Sequence, residues 1–211
     1  MRDRFWGAPR RGYHHGNLRE TLIEAARHLI AVNGPEGFSL IEAARLAEVS
    51  PAAPYRHFPD RKALVEAVSE RGFQLFGERL SEAAAGTQDP FVAFRRMGAA
   101  YLDFAREEPG FYGAMFEARK TPAQPAAEGS GANAFDILAN AVRSVMQAGQ
   151  LDDERVRIIA LHVWAVSHGI AMLSRSGDLP RGPNLPDPEE LLDSAVTALI
   201  KGHCGEKARA G

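Results

Sequence analysis

The chain has 211 residues, of which 45% are hydrophobic and 25% are charged, values typical of a soluble globular protein. No uninterrupted apolar run approaches the roughly 18 to 20 residues of a membrane span, and the basic N-terminus lacks the apolar core of a secretory signal. We therefore expect a cytoplasmic protein with no membrane partner. Its single cysteine excludes a disulfide framework or a cysteine metal site within one chain.

The charge of the chain, −2 in total, is unevenly distributed. Residues 1–62 carry ten Lys/Arg against seven Asp/Glu, a balance of +3, whereas residues 63–211 carry fifteen against twenty, a balance of −5. A basic end on an acidic body is typical of a protein that meets phosphate with one end only. Chance fluctuation in charge is the alternative at this small size.

The first predicted element follows a polar, basic stretch, residues 1–15, that we interpret as a flexible arm. Asn17 is a good N-cap and Asn33-Gly34-Pro35 a strong stop, so a helix is expected between them. Apolar residues recur within it at three- and four-residue steps: Leu18, Leu22, Ala25, Ala26, Leu29 and Ile30.

Two short helices are predicted next, each with its own start signal. Ser39 and Glu42 form a capping box that opens a helix ending near Glu48. Ser50-Pro51 repeats the signal, because serine caps and proline tolerates the first helical position, and predicts a third helix from Pro51 to about Phe58. Asp60 then caps a longer fourth helix that runs through Leu80.

Five further amphipathic segments follow Gly86, at about 89–107, 109–118, 132–149, 152–176 and 187–201. Linkers rich in proline, glycine and small residues are predicted at 121–131 and 177–188. Since no stretch shows sustained strand alternation, the predicted fold class is all-α.

The second and third helices are arranged as in a helix-turn-helix motif. In that motif the first helix crosses the sugar–phosphate backbone and the second lies in the major groove. Small residues at the leading end of the third helix would allow close approach to base edges. Taken alone, this pattern is equally typical of two packed helices with no role in DNA binding.

Residue identities over some sixty positions settle between these alternatives. Residues 17–76 resemble the N-terminal domain of the TetR (tetracycline-repressor-like) family in Ala25-Ala26, in Asn33-Gly34 with Gly37-Phe38-Ser39, and above all in the stretch 49–64, VSPAAPYRHFPDRKAL. The resemblance implies a three-helix DNA-binding domain at 16–76 with its helix-turn-helix at 39–58. It also implies a helical-bundle ligand-binding and dimerisation domain at 77–202 and a disordered tail at 203–211.

Carried over by position, the resemblance implies a set of DNA contacts. Backbone contacts would come from Tyr55, His57 and Lys62 with help from Ser39, and Ala52 and Ala53 would face bases. The basic residue often found early in the second helix is absent, so backbone contact there is expected to be either weaker or supplied by the arm through Arg10, Arg11, His14 and His15. The predicted DNA-binding residues are Arg10, Arg11, Ser39, Pro51, Ala52, Ala53, Tyr55, Arg56, His57 and Lys62, whereas Phe58 is expected in the core.

The C-terminal half carries one local resemblance, Trp164-x-x-x-His168-Gly169, to the Trp-His-Gly signature of one TetR C-terminal subgroup. Trp164 and His168 share a helix face. They either line a ligand pocket or form a buried pair whose imidazole bonds a backbone carbonyl. Methionine and aromatic residues suit an adaptable apolar pocket but are also ordinary core. The predicted lining is Phe94, Met97, Tyr101, Phe104, Phe111, Met115, Trp164, His168 and Met172.

The segment 156–173 is apolar nearly all round, so one side is expected to cover its own core and the other a partner. With the helix at 187–201 it predicts a twofold, four-helix homodimer interface. The function expected from the resemblance is that of a repressor released from a near-palindromic DNA operator by a small hydrophobic effector. The alternatives are a transcriptional activator, or a ligand-binding or adaptor protein without an operator. No enzyme motif, metal site or cofactor is expected.

Overall fold

The structure, a computed structural model, describes residues 18–117, 130–146 and 152–205. The predicted arm with Arg10 and Arg11, the N-cap Asn17, most of the 121–131 linker and residues beyond 205 lie outside them. The described part contains eight helices and no strand, which confirms the predicted all-α class.

The N-terminal part begins with α1, Leu18–Asn33, and α2, Leu40–Leu46. α1 ends where expected, because Gly34 takes a left-handed conformation (φ 75°) that ends a helix at little steric cost. The predicted capping box is present at α2: the Glu42 amide donates to Ser39 Oγ (3.2 Å), and the Ser39 amide donates to the Glu42 carboxylate (2.8 Å). α2 is slightly shorter than predicted.

The predicted third α-helix over 51–58 is wrong in its detailed conformation. Residues 51–53 form a turn, and Pro54–Arg56 forms a single 3-10 turn. Pro54 has no N–H to donate to the Ser50 carbonyl, which instead accepts from the Ala53 amide at 2.9 Å and closes a tighter ring. Buried Pro54 and Phe58 hold this segment, hereafter the recognition turn (residues 51–57), against the core.

The remaining helices form the body of the molecule. They are α3 (Arg61–Ala84), α4 (Pro90–Glu107), α5 (Pro109–Tyr112), α6 (Ser130–Val145), α7 (Asp153–Ser176) and α8 (Pro188–Gly205). Asp60 caps α3 as predicted, accepting from the Ala63 amide at 2.8 Å. The expected helix at 109–118 is divided into α5 and a π-helical segment, Gly113–Glu117. α3 packs against α1, α4 and α6, and thus runs through the predicted domain boundary at residue 76.

Helix α7, Asp153–Ser176, is long and apolar enough to cross a membrane by length and composition alone, a test that core helices of soluble proteins also pass. In the structure it packs against α4, α6 and α8. Its outer face leaves Ile158 and Leu161 exposed by 45% and 49%. The second apolar face inferred from the sequence is therefore uncovered in a single subunit.

α5 connects the body to α1. Gly110 lies so close to α1 that a Cβ atom there would overlap the carbonyl oxygen of Arg27. The Arg27 guanidinium lies over the Phe111 ring, 5.4 Å from its centroid, and pairs with Glu108 at 3.5 Å. Glu108 also pairs with Arg79 of α3 at 3.1 Å. Glu108 therefore ties α1 and α3 together beneath the N-terminal helices.

Candidate nucleic-acid interface and ligand cavity

The recognition turn presents polar side chains to solvent above a buried anchor. Tyr55, Arg56 and His57 are exposed, and Tyr55 has 55% of its surface accessible. Pro51 and Ala52 are also exposed, whereas Ala53 is half-buried. Because no large side chain covers the leading end of the turn, its backbone can approach another surface closely.

Lys62 lies in the first turn of α3, close in sequence to the recognition turn. Its side chain is 83% exposed, and it forms an ion pair with Glu66 at 3.7 Å, one helical turn away. A pair at that exposure is weak, so the ammonium can be redirected to another anion. The neighbouring Arg61 differs, since it is held by the Pro35 carbonyl and by Glu36 at 2.9 Å. Arg61 therefore joins α3 to the link before α2.

Ser39 is exposed, but its hydroxyl already takes part in the capping box. Ser39 Oγ donates to the Glu42 carboxylate at 2.8 Å and accepts from the Glu42 amide. A phosphate at Ser39 would have to share this hydroxyl with Glu42. Sequence reasoning also missed Arg45, which is exposed in the last turn of α2. The helical period predicts this exposure, because it places Arg45 on the side of α2 opposite the buried Ala43 and Ala44.

A cavity of about 1290 Å³ lies among α3, α4, the π-helical segment, α6, α7 and α8. Six of the nine residues predicted to line a pocket are on its wall: Phe94, Met97, Tyr101, Met115, Trp164 and His168. They come from three separate elements that the fold brings together. The interior is mainly aromatic and aliphatic, and Phe94, Met97 and Met115 are buried.

Phe104, Phe111 and Met172 do not line this cavity, contrary to the prediction. Phe104 is fully buried against Phe76, with ring centroids 5.0 Å apart, and Phe111 packs under Arg27 next to α1. Met172 is half-buried against the core. Helical spacing places these residues on inward faces, but it does not tell whether a neighbouring side chain or an open space lies opposite.

Sequence reasoning missed most of the wall contributed by α3, α6 and α8. The missed interior residues include Phe73, Phe76, Leu80, Phe135, Leu138 and Val196. The rim is charged: Arg95 pairs with Asp193 at 2.9 Å, and Arg157 pairs with Asp136 at 3.0 Å. Exposed Arg96 and Glu189 also border it. The cavity thus has an apolar interior and a polar opening that contains three arginines.

A polar cluster interrupts the apolar wall where α4, α5 and α7 meet. His168 Nδ1 lies 2.7 Å from the Tyr112 hydroxyl and 3.2 Å from the Tyr101 hydroxyl, and the two hydroxyls are 3.5 Å apart. The His168 ring also stacks on Tyr112 at 19°. Burial raises the pKa of Tyr101 far above its ordinary value, with Tyr112 adding to the effect and Trp164 opposing it, so its hydroxyl stays protonated.

Comparison with known families decides the identity of this fold. Residues 94–199 match the family described as tetracyclin repressor-like, C-terminal domain, and residues 22–68 match the bacterial regulatory proteins of the tetR family. The chain belongs to the TetR family. The resemblance drawn from the recognition turn is thereby confirmed, and family membership places the chain among DNA-binding regulators rather than enzymes.

Solved structures with the same fold differ in their sequence identity to this chain. A protein of unknown function from Rhodococcus sp. RHA1 is 31% identical, with a TM-score of 0.73, over 91% of this chain and 98% of that one. FadR of Bacillus subtilis, solved with stearoyl-CoA, is 18% identical with a TM-score of 0.70, over 87% and 98% of the two chains. At that identity the likeness shows the fold alone.

A curated relative that this chain resembles in part is the nucleoid occlusion factor SlmA of Vibrio vulnificus. It is 31% identical over 102 residues, which are 47% of this chain and 51% of SlmA. The chain therefore spans about half the length of the curated relative that it matches.

Proposed function

We propose that this TetR-family protein is a homodimeric repressor that leaves a near-palindromic operator when an apolar effector fills the cavity. The observation that carries the proposal is the pairing of an exposed recognition turn with a large, partly open cavity in the same chain. A regulator needs both a surface for DNA and a separate site whose occupancy can favour one conformation over another.

DNA binding would use the exposed side chains of the recognition turn and its surroundings. In this proposal Tyr55, His57 and Lys62 contact phosphates, and Arg56 and the backbone at Pro51 and Ala52 approach base edges. Their exposure supports these roles, whereas Ala53 is half-buried. Ser39 would contribute a weaker contact, since Glu42 already bonds it. Arg10 and Arg11 remain proposed contacts of the arm.

The homodimer would form through the uncovered face of α7 together with α8. Ile158 and Leu161 lie exposed on that face among the described residues, and a second subunit packed there would exclude water from them. Two recognition turns would then be about 34 Å apart, one helical turn of DNA. An effector that prefers a different spacing of the two would release the operator.

The effector would be a molecule with an extended apolar part. The cavity interior is lined by aromatic and aliphatic side chains, and its size suits a long chain or several rings. An acyl-CoA is one suitable class, because the acyl chain could occupy the interior while the arginine-bearing rim meets phosphates. The stearoyl-CoA bound by the FadR structure of Bacillus subtilis supports this class.

The test is a gel shift of the chain on the DNA upstream of its own coding region. We expect a retarded band that weakens steeply as salt is raised, because phosphate contacts release counterions. Stearoyl-CoA should free the DNA, with coenzyme A alone as the control. If no upstream fragment were retarded, operator binding would be contradicted. If the retarded band were the same with and without stearoyl-CoA, the proposed response to this effector would be contradicted.

A second candidate is a DNA-binding role outside transcription. This role is favoured by the likeness to SlmA, a nucleoid occlusion factor, although the likeness extends over only about half of the chain. The same gel shift separates the candidates when it is combined with a reporter gene under the upstream region. DNA binding without any change in reporter output on deleting the protein would favour the second candidate.

A further inference from the structure

On the cavity wall, the Tyr101 hydroxyl has only long hydrogen bonds to its neighbours in the polar cluster. Tyr101, Tyr112 and His168 meet around one atom, His168 Nδ1. If Nδ1 is unprotonated, its single lone pair faces two hydroxyl protons, and the shorter contact is with Tyr112 (2.7 Å against 3.2 Å). The Tyr101 hydroxyl has the longer contacts, 3.2 Å to Nδ1 and 3.5 Å to Tyr112 Oη, so its proton is surplus to the short hydrogen bonds of the cluster.

The other histidine tautomer gives the same surplus. If Nδ1 carries the proton, it donates to Tyr112 Oη at 2.7 Å and can accept from neither hydroxyl. Tyr101 then again has Tyr112 Oη, at 3.5 Å, as its nearest hydroxyl. Among the described residues, no closer acceptor for the Tyr101 proton is found. Its high pKa keeps that proton in place at working pH.

Tyr101 is also the tyrosine of the cluster that reaches the cavity. Tyr101 and His168 line the wall, whereas Tyr112 is completely buried behind them. A donor on an otherwise apolar wall favours a ligand that carries an acceptor at the matching place, since an unmet buried donor costs free energy. The arginines lie at the exposed rim, so an ionised carboxylate next to Tyr101 would be far more costly to bury than a neutral carbonyl.

We propose that the Tyr101 hydroxyl donates a hydrogen bond to the effector, and that the effector is an apolar molecule with an uncharged carbonyl oxygen. Esters, thioesters, ketones and amides share this chemistry. The inference rests on the proposed effector role of the cavity, and it assigns Tyr101 a different task from the surrounding Phe76 and Phe94, which select for apolar surface.

The test compares two ligands of the same shape by calorimetry. Acetylnaphthalene carries a carbonyl oxygen, and isopropenylnaphthalene has a methylene group in its place. We expect the wild-type protein to bind the ketone roughly 3- to 10-fold more tightly, the effect of one good hydrogen bond. Tyr101→Phe should abolish this preference and leave the affinity for the hydrocarbon within about twofold, which serves as the internal control.

A spectroscopic readout keeps the test decisive if Tyr101→Phe does not fold. The carbonyl stretch of bound acetylnaphthalene should lie below its frequency in an alkane solvent, as it does when the oxygen accepts a hydrogen bond. Equal affinities for the two ligands, no binding of either, an unshifted stretch, or a preference that survives Tyr101→Phe would overturn the inference. Because no DNA is present, failure here leaves the operator gel shift untouched, and failure of the gel shift leaves this result intact.

Discussion

Single side chains of the recognition turn have separable roles, which the structure makes testable. Tyr55, Arg56 and His57 are exposed, while Pro54 and Phe58 are buried beneath them. The exposed members can therefore be changed without loss of the anchor. Beside the recognition turn, Lys62 is the best position at which to measure the effect of one charge on DNA binding, because its side chain is 83% exposed and can be truncated without disturbing the core.

Lys62→Ala is expected to weaken DNA binding by roughly 5- to 10-fold on every sequence, since it takes away a phosphate partner. The slope of log K against log salt should become shallower by about one unit, because one fewer phosphate is neutralised. Affinity would be measured by fluorescence anisotropy on specific and random duplexes at several salt concentrations. Arg181→Ala, which removes one charge from the exposed 177–187 link, is the matched control and should change nothing. Unchanged binding for Lys62→Ala would contradict the docking.

Ser39 allows its capping role to be distinguished from a phosphate contact. Ser39→Ala removes the capping box of α2 and should cost about 0.5–2 kcal/mol of stability, seen as a lower Tm. Ser39→Asp keeps an N-cap acceptor but loses the hydrogen bond that Ser39 Oγ donates to Glu42, so its Tm should lie between those of the wild-type protein and Ser39→Ala. Its charge repels phosphate and should lower DNA affinity below that of Ser39→Ala. If Ser39→Asp bound DNA as well as the wild-type protein, phosphate would not lie near this position.

At the scale of elements, the contact between α5 and α1 is the tightest that the structure shows between the body and the N-terminal helices. Gly110 packs on the backbone of Arg27, and Glu108 pairs with Arg27 and Arg79. The π-helical segment that follows α5 contributes Met115 and Phe116 to the cavity wall. Met115 and Phe116 on the cavity wall thus lie only a few residues after Gly110, which contacts α1.

Gly110→Ala is expected to displace α1 from α5, because the added methyl group would overlap the Arg27 carbonyl. Overpacking of this kind costs about 1–3 kcal/mol, so the free energy of unfolding in urea should fall by that amount. Gly202→Ala in α8 is the control, since a Cβ there meets nothing within 4 Å and alanine favours a helix. If Gly110→Ala were as stable as the wild-type protein, α1 would be able to move away from α5 at little cost in free energy.

At the scale of the whole molecule, α7 is the element that one subunit leaves incomplete. One face packs on α4, α6 and α8, and the other exposes Ile158, Leu161 and Ala165. α7 is apolar on two sides, and this explains two findings. Its composition resembles that of a membrane-spanning helix, and the sequence predicts that one of its faces packs against a second subunit.

Leu161→Glu should convert the protein to a monomer, because burying an unpaired carboxylate between subunits costs far more than the packing gains. Light scattering after size exclusion would report a mass of 22.9 kDa in place of twice that value. Operator affinity should fall by at least about tenfold, since one recognition turn then acts alone. Leu185→Glu, equally exposed at 51% but outside both helices, should remain dimeric. A dimeric Leu161→Glu protein would place the interface elsewhere.

Local chemistry in the sequence determined three of the helix ends and the family. Ser39 with Glu42, Asp60, and Asn33-Gly34 each set a helix end through hydrogen bonds or backbone conformations that involve neighbours in the chain, so the sequence alone was sufficient. The spacing around Tyr55 and His57 identified the TetR family for a similar reason, since the recognition turn is one continuous segment. The turn itself departed from α-helix because Pro54 has no N–H to donate to the Ser50 carbonyl.

Only the tertiary structure decided which inward-facing side chains line a cavity. Phe94 and Phe104 share a helix and an apolar character, yet one borders the cavity and the other packs on Phe76. The surplus proton of Tyr101 likewise depends on three residues from α4, α5 and α7 meeting at one nitrogen. Periodicity specifies the direction of a side chain from its own helix axis, whereas a void or a polar cluster is a property of the distances between helices.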